Sequence, residues 1–502
     1  MQDVNWDGET AVLPAREQHA DRTAGFAARG VVQGVAGRSI SFACAYLATI
    51  ILARRLGPEG YGLYGVVISV LLWIEQTARF TVPPATAKLI PQDPQGARAV
   101  QETGLVVGSL LFFALFGVFW LAAGPLATVF ELPAEGTWLF RIAALDLPIF
   151  GVYVIYRGIL QGHHDFLTLS VADVIYTAGK LLAVVALLAV SLSVTSALAA
   201  NVAASLGALL FVAGRISIKL RRPEAVVTRA LLALALPLGL YMLALQTITN
   251  LDLWSLQMMN DGAQANTVGV YVAARNLAVV PGVILMVVSD VMLPSLSRAL
   301  VGGDARLPQL YLQGAMRFLC ILLAPIVLVL MVGADDLMSW LYSGTFRSGG
   351  VFVRVLILYA ISLPFMDLFA SAMSAKGEPY RGGLTLLLMI PLAVAVNVVL
   401  VRRYGAVGAA YGSAAAGLIS AGVLGVFVVQ RFGSLMTFRT CANLVVATGL
   451  MILAAAQLAS LRLLPALTVT VGLVVYAASL IVLKELRAHD LIHFAFWKWG
   501  TR

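Results

Sequence analysis

Ionisable side chains recur at helical spacing inside stretches of the chain that are otherwise apolar. At 100° per residue, Arg38, Ser41, Ala45 and Thr49 fall on one face of a helix. Asp146, Tyr153 and Arg157 share a second face, and Asp173, Tyr176, Thr177 and Lys180 a third. Tyr271, Arg275, Gly282 and Ser289 form a fourth, while Gln246, Asn250 and Gln257 align on a fifth, with Asp252 well off it. A charge at the centre of a bilayer costs at least about 2.5–3.5 kcal/mol, so such groups turn inward, toward a cavity or toward one another. Gathered around water, guanidinium and ammonium groups can hold an anion by charge-assisted hydrogen bonds, and Tyr, Gln and Asn can bind hydroxyl groups. A carboxylate at that depth (Asp173, Asp252 or Asp146) can bind a proton or a sodium ion. The structural alternative pairs the charges within the fold, Lys180 with Asp173 or Arg157 with Asp146. Glu75 and Arg79, four residues apart near a span end, read as a helix-surface salt bridge. For Arg354 and Asp367 the sequence does not choose between gating and packing.

These groups require helices long enough to cross lipid. Of the 502 residues, 60% are hydrophobic and only 12% charged, against about 25% charged in a soluble domain. A soluble fold could not coat itself with so few charges, so the bilayer must serve as the apolar solvent. About 20 residues span about 30 Å of hydrocarbon. On that scale apolar runs lie near 30–53, 61–82, 100–128, 139–161, 167–190, 194–218 and 229–257. Others lie near 267–295, 310–333, 350–374, 382–401, 406–430, 438–459 and 463–486, which makes fourteen. The expected fold is an all-α integral membrane protein of about 14 transmembrane helices in two pseudo-symmetric bundles. Residues 1–27 read as a disordered or interfacial cytoplasmic tail, 28–218 as an N-lobe of helices 1–6, and 229–430 as a second bundle of helices 7–12. Residues 438–487 hold helices 13 and 14, and 488–502 form a cytoplasmic tail.

With the N-terminus in the cytoplasm, most of the 34 lysines and arginines fall on the cytoplasmic side. Only Arg54, Arg55, Arg347, Arg402, Arg403 and Arg462 face out, which predicts that both termini are cytoplasmic. The net charge of +9 fits anionic lipid headgroups better than nucleic acid. The first 27 residues lack the pattern of a signal peptide. Cys44, Cys320 and Cys441 lie far apart in apolar runs and read as packing residues. His163 and His164 have no further ligands nearby for a metal. No nucleophile constellation, catalytic acid–base pair or phosphate-binding glycine loop is apparent, and the connections are too short for a catalytic domain. The reading is therefore a transporter rather than an enzyme, with no cofactor and with a proton or sodium ion as the candidate coupling ion.

The chain echoes itself. GPEGYGLYGVV (57–67) and NTVGVYVAARN (266–276) both place Gly-x-Tyr at the start of an apolar run, and LQGHHDFLTLSV (160–171) echoes SAKGEPYRGGLT (374–385). Repeats of about seven helices suggest related bundles with a site at their interface. ARRLGPEGYGLYGVVISV resembles the signature opening the polysaccharide flippases of the multidrug/oligosaccharidyl-lipid/polysaccharide superfamily. LQGHHDF is similar to that family's Gly-x-x-x-Phe loop, and RYGAVGAAYGSAAAG (403–417) to its Tyr-Gly-x-x-Gly-Ala-Ala segment. The resemblance covers about residues 28 to 487. It implies an alternating-access transporter of the cell inner membrane that moves an undecaprenyl-pyrophosphate-linked oligosaccharide, or a similar lipid-linked glycan, from the cytoplasmic to the outer leaflet. A polysaccharide polymerase and assembly proteins are the candidate partners. On this reading Arg38, Lys180 and Arg275, the deepest cations, are expected to hold the pyrophosphate. Arg157, Tyr153, Tyr271, Gln246 and Asn250 are expected around the substrate.

Gly57-Pro58-Glu59-Gly60 can reverse the chain, because proline cannot continue a helix and glycine tolerates φ > 0. Arg54 and Arg55 are expected to meet lipid phosphates there. Pro148, Pro237, Pro281, Pro364 and Pro391 could let helices bend during a cycle. A flippase for the peptidoglycan lipid precursor shares the span count and the basic cavity, although the RLGPEGYGLY form favours the polysaccharide branch. A drug/cation antiporter of the same superfamily would have twelve spans and an acidic site. A membrane glycosyltransferase would need a larger external loop or a carboxylate pair.

Overall fold

The computed structural model describes residues 15–92, 95–216, 221–259, 265–286, 306–376, 379–460 and 465–485, with 288, 292, 296, 297, 299 and 300 between them; side chains 15–36, 38, 265, 284, 379–386 and 459–460 fall outside that description. Among the described residues the fold is helical, without strands. The first half holds α1 (Ala15–Arg79), α2 (Val82–Leu89), α3 (Ala97–Val129), α4 (Gly136–Ala144), α5 (Asp146–Gly162), α6 (Phe166–Val190) and α7 (Val194–Arg215). The second holds α8 (Ala225–Met258), α9 (Ala265–Leu285), α10 (Leu307–Leu341), α11 (Gly350–Ala375) and α12 (Pro379–Phe432). α13 (Phe438–Ser460) and α14 (Pro465–Val482) follow. Residues 15–27 form the start of α1, whereas 1–14 and the tail 488–502 lie outside the described residues.

Two long helices are folded at a glycine. Gly57 has φ 68° and ψ 177°, a region open essentially to glycine alone, and Pro58 removes the next amide donor. Gly37 lies against Ser170 near the start of α6, Arg79 feels the charge of Asp173 one turn on, and Gly60 lies by Val194 past the end of α6. The chain therefore runs along α6, reverses at Gly57 and returns. In α12, Gly405 (φ 56°, ψ −134°) does the same: Gly408 faces Leu400 and Gly412 faces Asn397, so the arms lie side by side.

Eleven helical segments are long and apolar enough to cross a membrane among the described residues, where the sequence reading has fourteen. Two of the eleven, 39–92 and 387–432, contain these reversals, and α9 lies outside the eleven. Their outer faces carry large apolar side chains such as Leu121, 81% exposed, and Val190, 87% exposed. Water would not tolerate a surface of that kind; lipid does.

α5 and α6 are joined by three residues. His164 takes φ 58°, and the Asp165 carboxylate caps α6 by accepting from the Thr168 amide at 3.1 Å. α5 thus descends against the start of α6. Within the first half α1 packs on α6, α6 on α7, and α2 and α3 on α5. Within the second, α12 packs on α11 and α8, and α11 on α9. The halves meet mainly through α1 against α9 and α8. α13 and α14 pair with each other and dock on α10, where Gly472 admits Leu328 and Tyr476 donates to the Ile321 carbonyl at 3.2 Å.

Candidate functional site

The intramembrane charges fall into two clusters, one in each half. In the first, Arg157 grips Asp173 with Nε 2.6 Å from Oδ1 and Nη2 2.7 Å from Oδ2. Tyr153, one turn before Arg157, donates its hydroxyl to the same carboxylate at 2.9 Å, and its ring stacks on Tyr176 at 5.7 Å. Both ions stay partly accessible, the side chains of Arg157 and Asp173 being 17% and 27% exposed. The pairs of the structural alternative, Lys180 with Asp173 and Arg157 with Asp146, do not form. The reason is register: the tight turn at 163–165 sets residues equidistant from it against each other. Arg157 then meets Asp173, while Asp146 and Lys180 lie further along their helices.

Asp146 is instead fully buried and accepts from the Asn201 amide on α7. Glu75, expected to bridge to Arg79 on the helix surface, is also fully buried and turns to Asp146. Among the described residues that leaves Arg79 and Lys180 in the cluster. Each is half-buried, and neither makes a hydrogen bond or ion pair among the described residues. Arg79 escaped the sequence analysis because i,i+4 spacing assigned it to Glu75. The Arg38 side chain lies outside the described residues; its neighbour Gly37 packs on Ser170.

The second cluster repeats the first cluster's chemistry. Tyr271 and Arg275, again four apart, share one carboxylate. Tyr271 donates to Asp252 Oδ2 at 2.7 Å, and Arg275 Nε lies 3.7 Å from the same oxygen. Arg275 also donates to the Thr249 carbonyl and, at 3.4 and 3.3 Å, to Asn250 Oδ1; Tyr359 contacts it as well. Asn250 in turn donates to the Gln246 carbonyl at 2.8 Å. Asp252, which the helical-face reading set apart, is the fully buried centre of this group. Gln257 donates to the Phe130 carbonyl of the first half at 2.9 Å. Arg275 thus has its donors committed within the fold, whereas Lys180 and Arg79 have donors to offer.

Other expectations change at the hinge. Arg54, expected at lipid phosphates, donates to the Leu341 carbonyl at 2.6 Å and to that of Trp340, closing the C-terminal end of α10 where a cation is favoured. Arg55 is exposed. Arg354 pairs with Asp335 of α10 at 2.7 Å, away from Asp367. His163 contacts Gln101 at 2.5 Å.

The fold is shared with known transporters. The structure of the lipid II flippase MurJ in an inward closed conformation superposes with TM-score 0.73, at 13% identity, over 92% of this chain and 100% of that one. An inward-facing multidrug resistance MATE family transporter of the MOP superfamily gives 0.69, at 17% identity, over 80% and 98%. A MOP superfamily transporter from Pyrococcus furiosus, described as having a binding pocket of reverse polarity, gives 0.63, at 17% identity, over 82% and 96%. No curated protein sequence matches the chain. The family model of polysaccharide biosynthesis proteins matches residues 27–300, more than half of the sequence and all of the first cluster. This chain, with its MOP-superfamily fold, belongs to the polysaccharide biosynthesis protein family.

Proposed function

We propose that the protein flips an undecaprenyl-pyrophosphate-linked oligosaccharide, or a similar lipid-linked glycan, from the cytoplasmic to the outer leaflet of the inner membrane. The two halves act as bundles that open alternately to each side, both termini are cytoplasmic, and the Gly57 hinge faces outward. One observation carries this reading: Arg79 and Lys180 stand half-buried among the spans with their donors uncommitted, beside the hydroxyls of Tyr153 and Tyr176. An anion stripped of water needs such donors, because burying it unpaired is prohibitive. Tyrosine rings and hydroxyls suit the sugars, and the prenyl chain can remain in lipid. A polysaccharide polymerase and assembly proteins would take the product on the outer face.

The test is reconstitution into vesicles with a labelled lipid-pyrophosphate-linked oligosaccharide in the inner leaflet. Wild-type protein is expected to expose label to an external quencher. Lys180→Gln and Arg79→Gln should each lower the rate at least about tenfold, the loss expected when a charged hydrogen bond worth about 1.5–3 kcal/mol is removed. Expression should remain normal. Vesicles that move a peptidoglycan lipid precursor or an organic cation, and no glycan lipid, would replace this reading with one of those substrates.

A further inference from the structure

Glu75 on α1 and Asp146 on α5 are each 0% exposed, and their carboxyl groups lie against each other. Two ionised carboxylates disfavour each other in a dry site, because each loses its hydration and repels the other. No base in contact offsets them. Lys180 on α6 and Arg79 on α1 act on Glu75 through space, and Lys180 acts on Asp146, but neither forms an ion pair with the carboxyls among the described residues. Tyr176 on α6 faces both acids. α7 closes the site: Asn201 donates its amide to Asp146, and the Ser205 hydroxyl lies beside the same carboxyl.

A second observation concerns the oxygens themselves. Asn201 and Ser205 are 1% and 0% exposed; the Ser205 hydroxyl turns to the Asp146 carboxyl, while Asn201 Oδ1 has no hydrogen bond. The Glu75 oxygens meet only the Asp146 carboxyl, itself an acceptor when ionised, so buried oxygens from three helices stand together short of donors. Buried polar atoms are normally paired, and a cluster made of acceptors is completed by something positive. By contrast Asp173 and Asp252, the other coupling candidates, are each matched by an arginine.

We propose that Glu75, Asp146, Asn201 and Ser205 form a binding site for one monovalent cation, either a proton shared by the two carboxyls or a sodium-sized ion held by the oxygens. When the site is filled, the acids carry one net negative charge and Lys180 is left to attract an anion; when it is empty, two negative charges compete for Lys180. That consequence rests on the transport reading above. The site itself does not.

The experiment uses the full-length protein in lipid nanodiscs, without any glycan, so its result is separable from transport. Infrared difference spectra are recorded across pH in sodium-free buffer and across sodium chloride at fixed pH, alongside thermal unfolding. If a proton fills the site, wild type shows a buried protonated-carboxyl band that titrates with pH and disappears in Glu75→Gln and in Asp146→Asn. If sodium fills it, adding the salt, but not choline chloride, shifts carboxylate bands and raises the melting temperature of wild type. That rise is lost in Glu75→Gln and reduced in Ser205→Ala, which keeps both acids. Wild-type spectra with no protonated-carboxyl band at any pH and no sodium response overturn the proposal, whatever the stability of the variants.

Discussion

Tyr153–Asp173–Arg157 and Tyr271–Asp252–Arg275 bring together the same three side-chain types, the arginine hydrogen-bonded to its carboxylate in the first and 3.7 Å from it in the second, and burial gives them different consequences. Asp252 is 0% exposed and its partner Arg275 17%, so replacing Asp252 with Asn removes the counter-charge at the buried end of the pair; breaking a fully buried pair costs about 3–5 kcal/mol. Asp173 is 27% exposed, and water can take over part of its role when it is replaced. Asp252→Asn should therefore lower the thermal midpoint in detergent far more than Asp173→Asn, with Asp252→Glu recovering part of the loss. Equal losses would show that burial does not separate the two triads. The cations were legible in the sequence as charges at helical spacing in apolar runs; their partners were not. Faces computed helix by helix placed Asp252 off the line of Asn250, although the partner of Arg275 is set by the α8–α9 register across the connection. Arg157 and Asp173 lie nearly equidistant from the turn at 163–165, a pairing that the position of the LQGHHDF loop contained and that single-helix geometry overlooked.

Glycine acts at the scale of whole elements in two ways. At Gly57 no atom lies within 4 Å of where a side chain would start, so its constraint is purely the backbone angle. At Gly269 the angle is ordinary, but a side chain would run into the Pro58 carbonyl, because α9 crosses the hinge there. Gly57→Ala should cost about 1–3 kcal/mol through strain alone. Gly117→Ala, on a helical stretch of α3 with equally open space, should be neutral or slightly stabilising, since alanine favours a helix. Thermal unfolding of the two variants checks this; a Gly57→Ala protein as stable as Gly117→Ala would remove the strain argument. The hinge was readable from Gly-Pro-Glu-Gly because turn chemistry is local. RYGAVGAAYG was readable as a family motif, whereas its work of bending α12 at Gly405 and seating Gly408 and Gly412 on the returning arm needed the fold. Span counting suffers in the opposite direction: helix length and apolarity merge two arms wherever the chain reverses within one turn.

Across the whole molecule, the halves are joined tightly at the hinge end. Gly269 of α9 abuts Pro58, Asn276 donates to the Tyr61 hydroxyl at 2.8 Å, and Tyr46 meets Tyr342 at 3.3 Å. Arg54 adds its bonds to the end of α10, and Tyr61 packs edge-on against Phe346. All of these contacts cross from α1 to the second half, so a transporter that opens at the hinge end must break them together. Gly65 and Val272 provide a way to hold them. A Cβ built on Gly65 would lie 3.3 Å from the Val272 Cβ, close to the roughly 3.5–4.5 Å that a disulfide spans. In a background with Cys44, Cys320 and Cys441 replaced by serine, Gly65→Cys combined with Val272→Cys should cross-link on oxidation. The oxidised protein, fixed shut at the hinge end, should still bind a glycan lipid from the opposite side but lose transport, and reduction should restore it. Each single cysteine variant controls for packing at the α1–α9 contact. A quantitatively cross-linked protein that transports at the reduced protein's rate would mean that the α1–α9 seam stays closed throughout the cycle, so that any opening would have to pass elsewhere.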